Sequence, residues 1–162
     1  MTVTIRPAVP DDVPALVELI AALADFEQLT HLLQVTPEKL LAQLFGPRPA
    51  AEVLMADLEI EGQRRSIGYA LFFTNFSTFL AQPGIYLEDL FVLPQHRSLG
   101  IGRRLLEQVG RLALERGCGR FEWSVLDWNT RAIRFYETMG ATVMPEWRIC
   151  RIAGDGLQRF AA

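Results

Sequence analysis

The stretch from Tyr86 to Arg104 constrains the fold most, because it predicts a strand, a glycine-bearing loop and a helix in immediate succession. Residues 86–93 are rich in the aromatic and branched side chains that favour strands, and Pro94 ends the run. The period then changes, because apolar side chains recur at the spacing of one helical face. The members of that stripe are Ile101, Leu105, Val109 and Leu112.

The loop between these two elements contains Gly100 and Gly102. Glycine lets the backbone approach a bulky group and turn its N–H donors toward it. A helix that begins at this point adds N–H groups without intrahelical partners and the positive end of the helix dipole. The loop therefore predicts a pyrophosphate-binding turn, and Arg97, Arg103 and Arg104 add positive charge around it. A turn that needs glycine for geometry alone is the alternative interpretation of a bare Gly-x-Gly.

Two better-known phosphate-binding loops are excluded by the same residues. A P-loop requires Gly-Lys-Ser/Thr before the helix, and the sequence has no such run here. A dinucleotide fingerprint requires a third glycine where Leu105 stands.

The loop resembles the acetyl-CoA loop of the GNAT superfamily of N-acetyltransferases, in which two residues separate an arginine from Gly-x-Gly or Gly-x-Ala. The resemblance is carried by Arg97-Ser98-Leu99-Gly100-Ile101-Gly102, by Leu90-Phe91-Val92 before it, and by Asn129 and residues 134–141 after it. The combination of Tyr86-Leu87-Glu88-Asp89 with Phe135-Tyr136 is most similar to the diamine (spermidine/spermine) acetyltransferase branch and its bacterial relatives.

The resemblance implies a fold, a cofactor and a set of binding residues. The implied fold is a mixed α/β (α+β) single domain over residues 1–162, with about seven strands, a splay between strands 4 and 5, and about four helices. The implied co-substrate is acetyl-CoA, and a backbone N–H near Phe91 or Val92 would polarise its carbonyl. The implied acetyl-CoA-binding residues are Leu90, Phe91, Val92, Arg97, Ser98, Leu99, Gly100, Ile101, Gly102, Arg103, Asn129, Arg131, Ala132 and Phe135.

Length and composition independently restrict the number of domains and the kinds of partner. A chain of 162 residues, half of them hydrophobic, is expected to form one domain with a sizeable core. The net charge of −3 makes nucleic acid an unfavourable partner. We expect no membrane span, because no apolar run is long enough, and no signal peptide, because the N-terminus lacks a basic region and an apolar run. Cys118 and Cys150 have no metal-binding spacing, and His31 and His96 are isolated, so we expect a cytoplasmic protein with reduced thiols and no metal.

The remaining elements follow from local patterns. We expect a helix after Asp11 as N-cap, with Val13, Leu16 and Ile20 on its apolar face, and a second helix after Thr36. The other predicted elements, in chain order, are strands at 3–6, 52–59 and 66–74, a loop at 75–84, a strand at 120–126, a helix at 130–139 capped by Asn129, and strands at 141–144 and 148–152.

Acetyl transfer to an amine requires a base for the ammonium group, whose pKa is near ~10.4, and profits from an acid at the departing thiolate. Tyr136 is the candidate acid, because it resembles the tyrosine that serves the relatives in this role. A buried aromatic on a helix is the alternative. Glu88 is the candidate base, acting directly or through a water, since a carboxylate in an apolar strand is costly unless it is used or paired. An inward carboxylate paired with an arginine is the alternative there.

A group of acidic and aromatic residues suggests the acceptor. The predicted substrate-binding residues are Phe26, Glu27, Glu88, Asp89, Glu122, Trp123 and Glu146, with Trp147 as a further aromatic wall. They favour a small cationic primary amine, either a polyamine or a lysine-like amino acid, although scattered acidic residues also occur on ordinary surfaces. Protein or peptide N-acetylation, and a non-catalytic acyl-CoA sensor, remain alternatives. The diamine relatives are homodimers, so the resemblance also implies a homodimer, with Phe76, Phe79 and the C-terminal strands as candidate contacts.

Overall fold

The computed structural model describes residues 2–161, apart from the side chain of Ser98. Five strands and four α-helices occur in these residues. In chain order they are β1 (Thr2–Pro7), α1 (Val13–Phe26), α2 (Pro37–Phe45), β2 (Glu52–Ile60), β3 (Gln63–Ser77), β4 (Gln82–Val92), α3 (Ile101–Glu115), β5 (Arg120–Trp123) and α4 (Thr130–Thr138). Short 3₁₀ helices precede α1 at Pro10–Asp12 and precede α3 at Pro94–Leu99.

The strands form one mixed sheet in the order β1-β2-β3-β4-β5. The first four strands pair antiparallel with their neighbours, and β5 pairs parallel with β4. The parallel pairing covers only four residues of each strand, from Gly84–Arg120 to Leu87–Trp123. On that side of β4, no described strand pairs with residues 88–92, so the backbone groups that alternate residues turn away from β3 face an open edge.

The core lies on the two faces of the sheet. Leu16 and Leu19 of α1 pack with Tyr69 and Phe91 on one face. On the other face lies α3, whose residues Ile101, Leu105 and Val109 are fully buried and whose end places Arg116 over the ring of Phe72. Tyr69 and Phe72 are an odd number of residues apart in β3, so their side chains point to opposite faces. The sheet is therefore covered on both sides, with α1 and α2 opposite α3.

A buried ionic network fixes the start of α1 to the sheet. Arg6 donates to Asp12 at 2.7 and 2.8 Å and to Asp57 at 2.7 Å, and Ser66 donates to the other oxygen of Asp57 at 2.8 Å. Asp12 also accepts the backbone N–H of Val9. The Arg6 hydrogen bond lowers the pKa of Asp12, and the two carboxylates raise the pKa of Arg6. The expected N-cap at Asp11 was wrong, because a 3₁₀ turn at Pro10–Asp12 precedes α1, which begins at Val13 with Asp12 as its N-cap.

The chain forms two compact units, one up to Ser124 and one from Val125 onward. The second unit contains α4 and a 3₁₀ helix at Gly154–Phe160. The strands expected at 141–144 and 148–152 are wrong, since the described chain there has neither strand nor helix. Branched and aromatic residues favour a strand, but a strand forms only where another strand pairs with it. In the structure Val143, Met144 and Ile149 are exposed.

The expected loop at residues 75–84 was also wrong. Asn75, Phe76 and Ser77 pair with Gly84, Pro83 and Gln82, so the segment is the end of a long β3–β4 hairpin with a short turn at its tip. The helix expected after Thr36 is confirmed, with the Thr36 hydroxyl accepting the N–H of Lys39. No helix among residues 2–161 is long and apolar enough to cross a lipid bilayer.

Candidate active site

The predicted phosphate loop lies between β4 and α3, and its two glycines differ in backbone conformation. Gly100 caps α3 with φ of +69°, a left-handed conformation that disfavours any side chain. Gly102 has no positive φ, and a Cβ added there would come no closer than 4.0 Å to Val92. The backbone conformation therefore favours glycine at position 100, whereas at position 102 neither the conformation nor a close neighbour requires it. A pyrophosphate group at the first N–H groups of α3 stays a prediction.

The residues before the loop form the open edge of β4. Leu90, Phe91 and Val92 pair with β3 on one side, while β5 ends at Trp123, opposite Leu87. The predicted splay between strands 4 and 5 takes this form in the first unit. Phe91 and Val92 are buried, so only their backbone groups are placed to meet the predicted cofactor.

The side chains of the loop point in several directions. Ile101 is fully buried in the core, whereas Leu99 and Arg103 are exposed. Arg97 lies with its guanidinium 4.3 Å from the ring centre of Phe26 and 5.5 Å from that of Phe91, and its Nε donates to the Val92 carbonyl at 2.9 Å. The predicted contact of Ser98 lies outside the described side chains. Arg97 thus connects the loop to the end of α1.

Glu88 occupies a β-bulge. Leu71 pairs with Asp89 while the next residue, Phe72, pairs with Leu87, so Glu88 is an extra residue without a partner in β3. The sequence left the orientation of Glu88 and Asp89 dependent on such a bulge. The bulge leaves Glu88 exposed and Asp89 half-buried at adjacent positions of the strand.

Asp89 is held by a tyrosine that the sequence analysis did not single out. Tyr69 is fully buried and donates its hydroxyl to Oδ2 of Asp89 at 2.9 Å. Burial raises the pKa of Asp89 to about 6; the Tyr69 hydrogen bond opposes this increase, and the charges of Glu88 and Glu27 add to it. The two residues lie close because Tyr69 pairs with Phe91, two positions from Asp89. Counting residues outward from the turn of a predicted β3–β4 hairpin could have indicated this pair from the sequence.

The end of α1 completes the acidic group. Glu27 is the C-cap of α1, directly after Phe26, and desolvation raises its pKa. Its charge also contributes to the raised pKa of both Tyr69 and Asp89. The structure therefore brings together three of the predicted substrate-binding carboxyl groups, those of Glu27, Glu88 and Asp89. We call these three residues the acidic cluster.

Glu122 and Trp123 lie in β5 with other partners. The carboxylate of Glu122 accepts from Asn75 at 2.9 Å and pairs with Arg120 at 3.1 Å. Its charge is thus already compensated within the hairpin and β5. The Trp123 ring packs against Phe121 with ring centres 4.9 Å apart.

The remaining predicted residues belong to the second unit. The side chain of Asn129 accepts the N–H of Ala132 at 3.2 Å and caps α4, as the sequence predicted. Half-buried Phe135 and Tyr136 are neighbours on α4, with ring centres 5.3 Å apart, and Arg131 is exposed. Glu146 and Trp147 are exposed in the segment without regular structure. Their roles in catalysis and binding stay predictions.

Within 2–161, no group of three or more histidine, cysteine, aspartate or glutamate side chains could hold a metal ion.

The known proteins similar in sequence include acetyltransferases. A model of the acetyltransferase (GNAT) family matches residues 19–141. The chain is 38% identical to an L-ornithine N5-acetyltransferase of Arabidopsis thaliana, over 95% of this chain and 86% of that protein. It is 35% identical to a thialysine N-ε-acetyltransferase of Mus musculus, over 97% of this chain and 96% of that protein.

Solved structures agree on the fold. An integron cassette protein from the mobile metagenome of V. cholerae superimposes with a TM-score of 0.80 at 25% identity, covering 99% of this chain and 98% of that one. An aminoglycoside acetyltransferase from an uncultured soil metagenomic sample superimposes with a TM-score of 0.75 at 18% identity, covering 93% and 95%. The chain belongs to the GNAT family of acetyltransferases. It is an N-acetyltransferase, as the resemblance in its glycine loop implied.

Proposed function

We propose that this enzyme transfers the acetyl group of acetyl-CoA to a primary amine of a small cationic substrate, a polyamine or a lysine-like amino acid, by direct attack. The observation that carries the proposal is the acidic cluster beside the open edge of β4. Three carboxyl groups that repel one another favour a ligand that brings positive charge. The names of the relatives support the same class, since ornithine, thialysine and spermidine or spermine are cationic amines.

The described residues of the first unit fit acetyl-CoA. The open space at Gly102 and the first N–H groups of α3 suit its pyrophosphate. The edge of residues 88–92 that no described strand pairs offers backbone donors and acceptors to an extended arm, apart from the Val92 carbonyl, which accepts from Arg97. Arg103, exposed in the first turn of α3, adds charge near the phosphates. Acetyl-CoA supplies the thioester that makes the acetyl group transferable.

Residues of this chain supply the proton transfers and the positioning. Glu88, exposed on its bulge, accepts the proton of the ammonium group directly or through a water, which frees the nitrogen lone pair for attack on the acetyl carbon. Backbone N–H groups at Phe91 or Val92 stabilise the negative charge on the carbonyl oxygen. Tyr136 donates its phenolic proton to the departing sulfur. Asp89 and Glu27 hold the ammonium by charge.

The experiment measures thiol release from acetyl-CoA with spermidine, putrescine, ornithine, thialysine, lysine and an N-terminal peptide. We expect saturable turnover with at least one of the small amines, and a loss of about 100-fold or more in kcat for Tyr136→Phe. Tyr86→Phe is the matched control, because the Tyr86 hydroxyl bonds to Ser124 and has no assigned chemistry. Turnover of the peptide alone would replace the small amine by a protein substrate, and binding without any turnover would indicate a sensor.

A homodimer in the cytoplasm also belongs to the proposal. The tip of the β3–β4 hairpin exposes Phe76 by 59% and Phe79 completely, which suits a contact with a second copy. Light scattering coupled to size exclusion measures the mass directly. A mass of one chain at micromolar concentration would refute the dimer.

A further inference from the structure

Tyr69 is an unusual partner for a carboxyl group at this position. A buried tyrosine hydroxyl normally needs one hydrogen-bond partner, and a backbone carbonyl would satisfy it without cost. In this structure the hydroxyl reaches across to the neighbouring strand and donates to Oδ2 of Asp89. The tyrosine has no exposed surface of its own, so any ligand must meet Asp89 and not Tyr69.

The surroundings of Asp89 oppose its ionisation. The groups that face it are Tyr69 from β3, Glu88 from β4 and Glu27 from the end of α1. Burial and the two glutamates favour the protonated carboxyl, which binds an ammonium group poorly, because it carries no charge. The Tyr69 hydrogen bond is the contribution that favours the carboxylate.

We propose that Tyr69 is a positioning residue for the acceptor: its hydroxyl orients Asp89 and keeps it ionised, so that the second carboxylate oxygen faces the ammonium group of the substrate. The inference rests on the proposed function. It adds a residue that controls the orientation and charge of Asp89, which no residue of the acidic cluster does by itself. One carboxylate has about four lone-pair sites, so accepting from Tyr69 leaves Oδ1 able to accept from the amine.

The pH range over which the acceptor binds then depends on the buried hydroxyl of Tyr69. Removing the hydroxyl in Tyr69→Phe removes the contribution that lowers the pKa of Asp89, so that pKa rises further above about 6. A hydrogen bond to a charged group of this kind corresponds to a rise of roughly one pH unit. The KM for the amine is then expected to exceed the wild-type value most below pH ~6 and to converge with it above pH ~8, while kcat at saturating amine stays the same.

The test compares wild type, Tyr69→Phe and Tyr86→Phe between pH 5 and 9 with a cationic amine and saturating acetyl-CoA. The ratio of kcat/KM between variant and wild type is used at each pH, because it cancels the titration of the amine itself. We expect Tyr69→Phe to shift the acidic limb upward by about one pH unit and Tyr86→Phe to leave it in place. A ratio that is constant across pH would indicate a structural role and overturn the proposal.

A second measurement needs no activity. Carbon-detected NMR of the aspartate carboxyl groups follows the titration of Asp89 in wild type and Tyr69→Phe, with Asp89→Asn to assign the signal. Titration at the same pH in both proteins would overturn the link between Tyr69 and Asp89, whatever the kinetics show. A wild type that is inert to every amine, but whose Asp89 titration shifts in the variant, would overturn the proposed function and leave the link supported.

Discussion

Replacing Asp89 with asparagine is expected to stabilise the folded protein at neutral pH. The usual pKa of an aspartate is 3.8, and in the folded protein burial raises that of Asp89 to about 6. A group with a raised pKa binds its proton more tightly in the folded state, so its ionisation costs stability as the pH rises through the folded value. Asparagine resembles the protonated carboxyl in shape and still accepts from Tyr69, and it never ionises.

The magnitude follows from the distance between the two pKa values. A gap from 3.8 to about 6 corresponds to roughly 3 kcal/mol when the group is fully ionised in both states. At pH 5 the folded state still holds most of the proton, so the gain is roughly half as large. We therefore expect Asp89→Asn to exceed the wild type in free energy of unfolding by about 3 kcal/mol at pH 7.5, and by clearly less at pH 5.

Urea unfolding at the two pH values measures the gain, with Asp57→Asn as the matched control. Asp57 is more deeply buried than Asp89, but it accepts from Arg6 and Ser66. Its substitution is expected to destabilise by about 1.5–3 kcal/mol, and not more, because Arg6 keeps its two bonds to Asp12. The same chemical change thus has opposite signs at two buried sites. Equal or lower stability of Asp89→Asn at pH 7.5 would refute the reasoning.

Two further predictions concern the glycine loop. Gly100→Ala is expected to lower the free energy of unfolding by about 1–2 kcal/mol because of the positive φ, which a lower Tm would show. Gly102→Leu is expected to leave the Tm within about 2 °C and to weaken acetyl-CoA binding measured by calorimetry. Unchanged binding would contradict the proposal that the cofactor occupies the open space at Gly102. Arg97→Met removes the stacking on Phe26 and the bond to the Val92 carbonyl, and a loss of about 1–2 kcal/mol in unfolding free energy is expected; an unchanged Tm would show that these contacts contribute nothing.

Local chemistry made part of the site predictable. The glycines of the loop, the Thr36 cap and the Asn129 cap depend on residues within four positions of each other, and the structure has all three. The position of α3 followed from one apolar stripe for the same reason.

Pairings across strands were not predictable in this way. The Tyr69–Asp89 bond and the Arg6–Asp57 bond join residues 20 and 51 positions apart, and each depends on a register that no single segment determines. The Asn75–Gly84 segment, with its aromatic, proline and glycine residues, has the composition of a loop, yet its neighbours in the hairpin keep it paired. The C-terminal segments have the composition of strands, yet they have no described partner.

The bulge makes the number of residues in β4, and not only their identity, part of the site. Phe91 and Asp89 share the face of Tyr69, and strict alternation would put Leu87 there next. Tyr86 occupies that place instead, with its ring centre 5.3 Å from that of Phe73. The extra residue Glu88 is the reason, because odd-numbered residues of β4 lie on this face after the bulge and even-numbered residues lie on it before the bulge. Deleting Glu88 would restore regular pairing, with Leu87 still opposite Phe72 and Asp89 still opposite Leu71, so both halves of the strand would keep their faces and only the Glu88 carboxylate would be lost. Deleting Leu90 instead would shorten the strand by the same length but move Asp89 to the opposite face of the sheet, away from Tyr69. The position of the deletion, and not only its length, therefore decides whether the Tyr69–Asp89 bond can form.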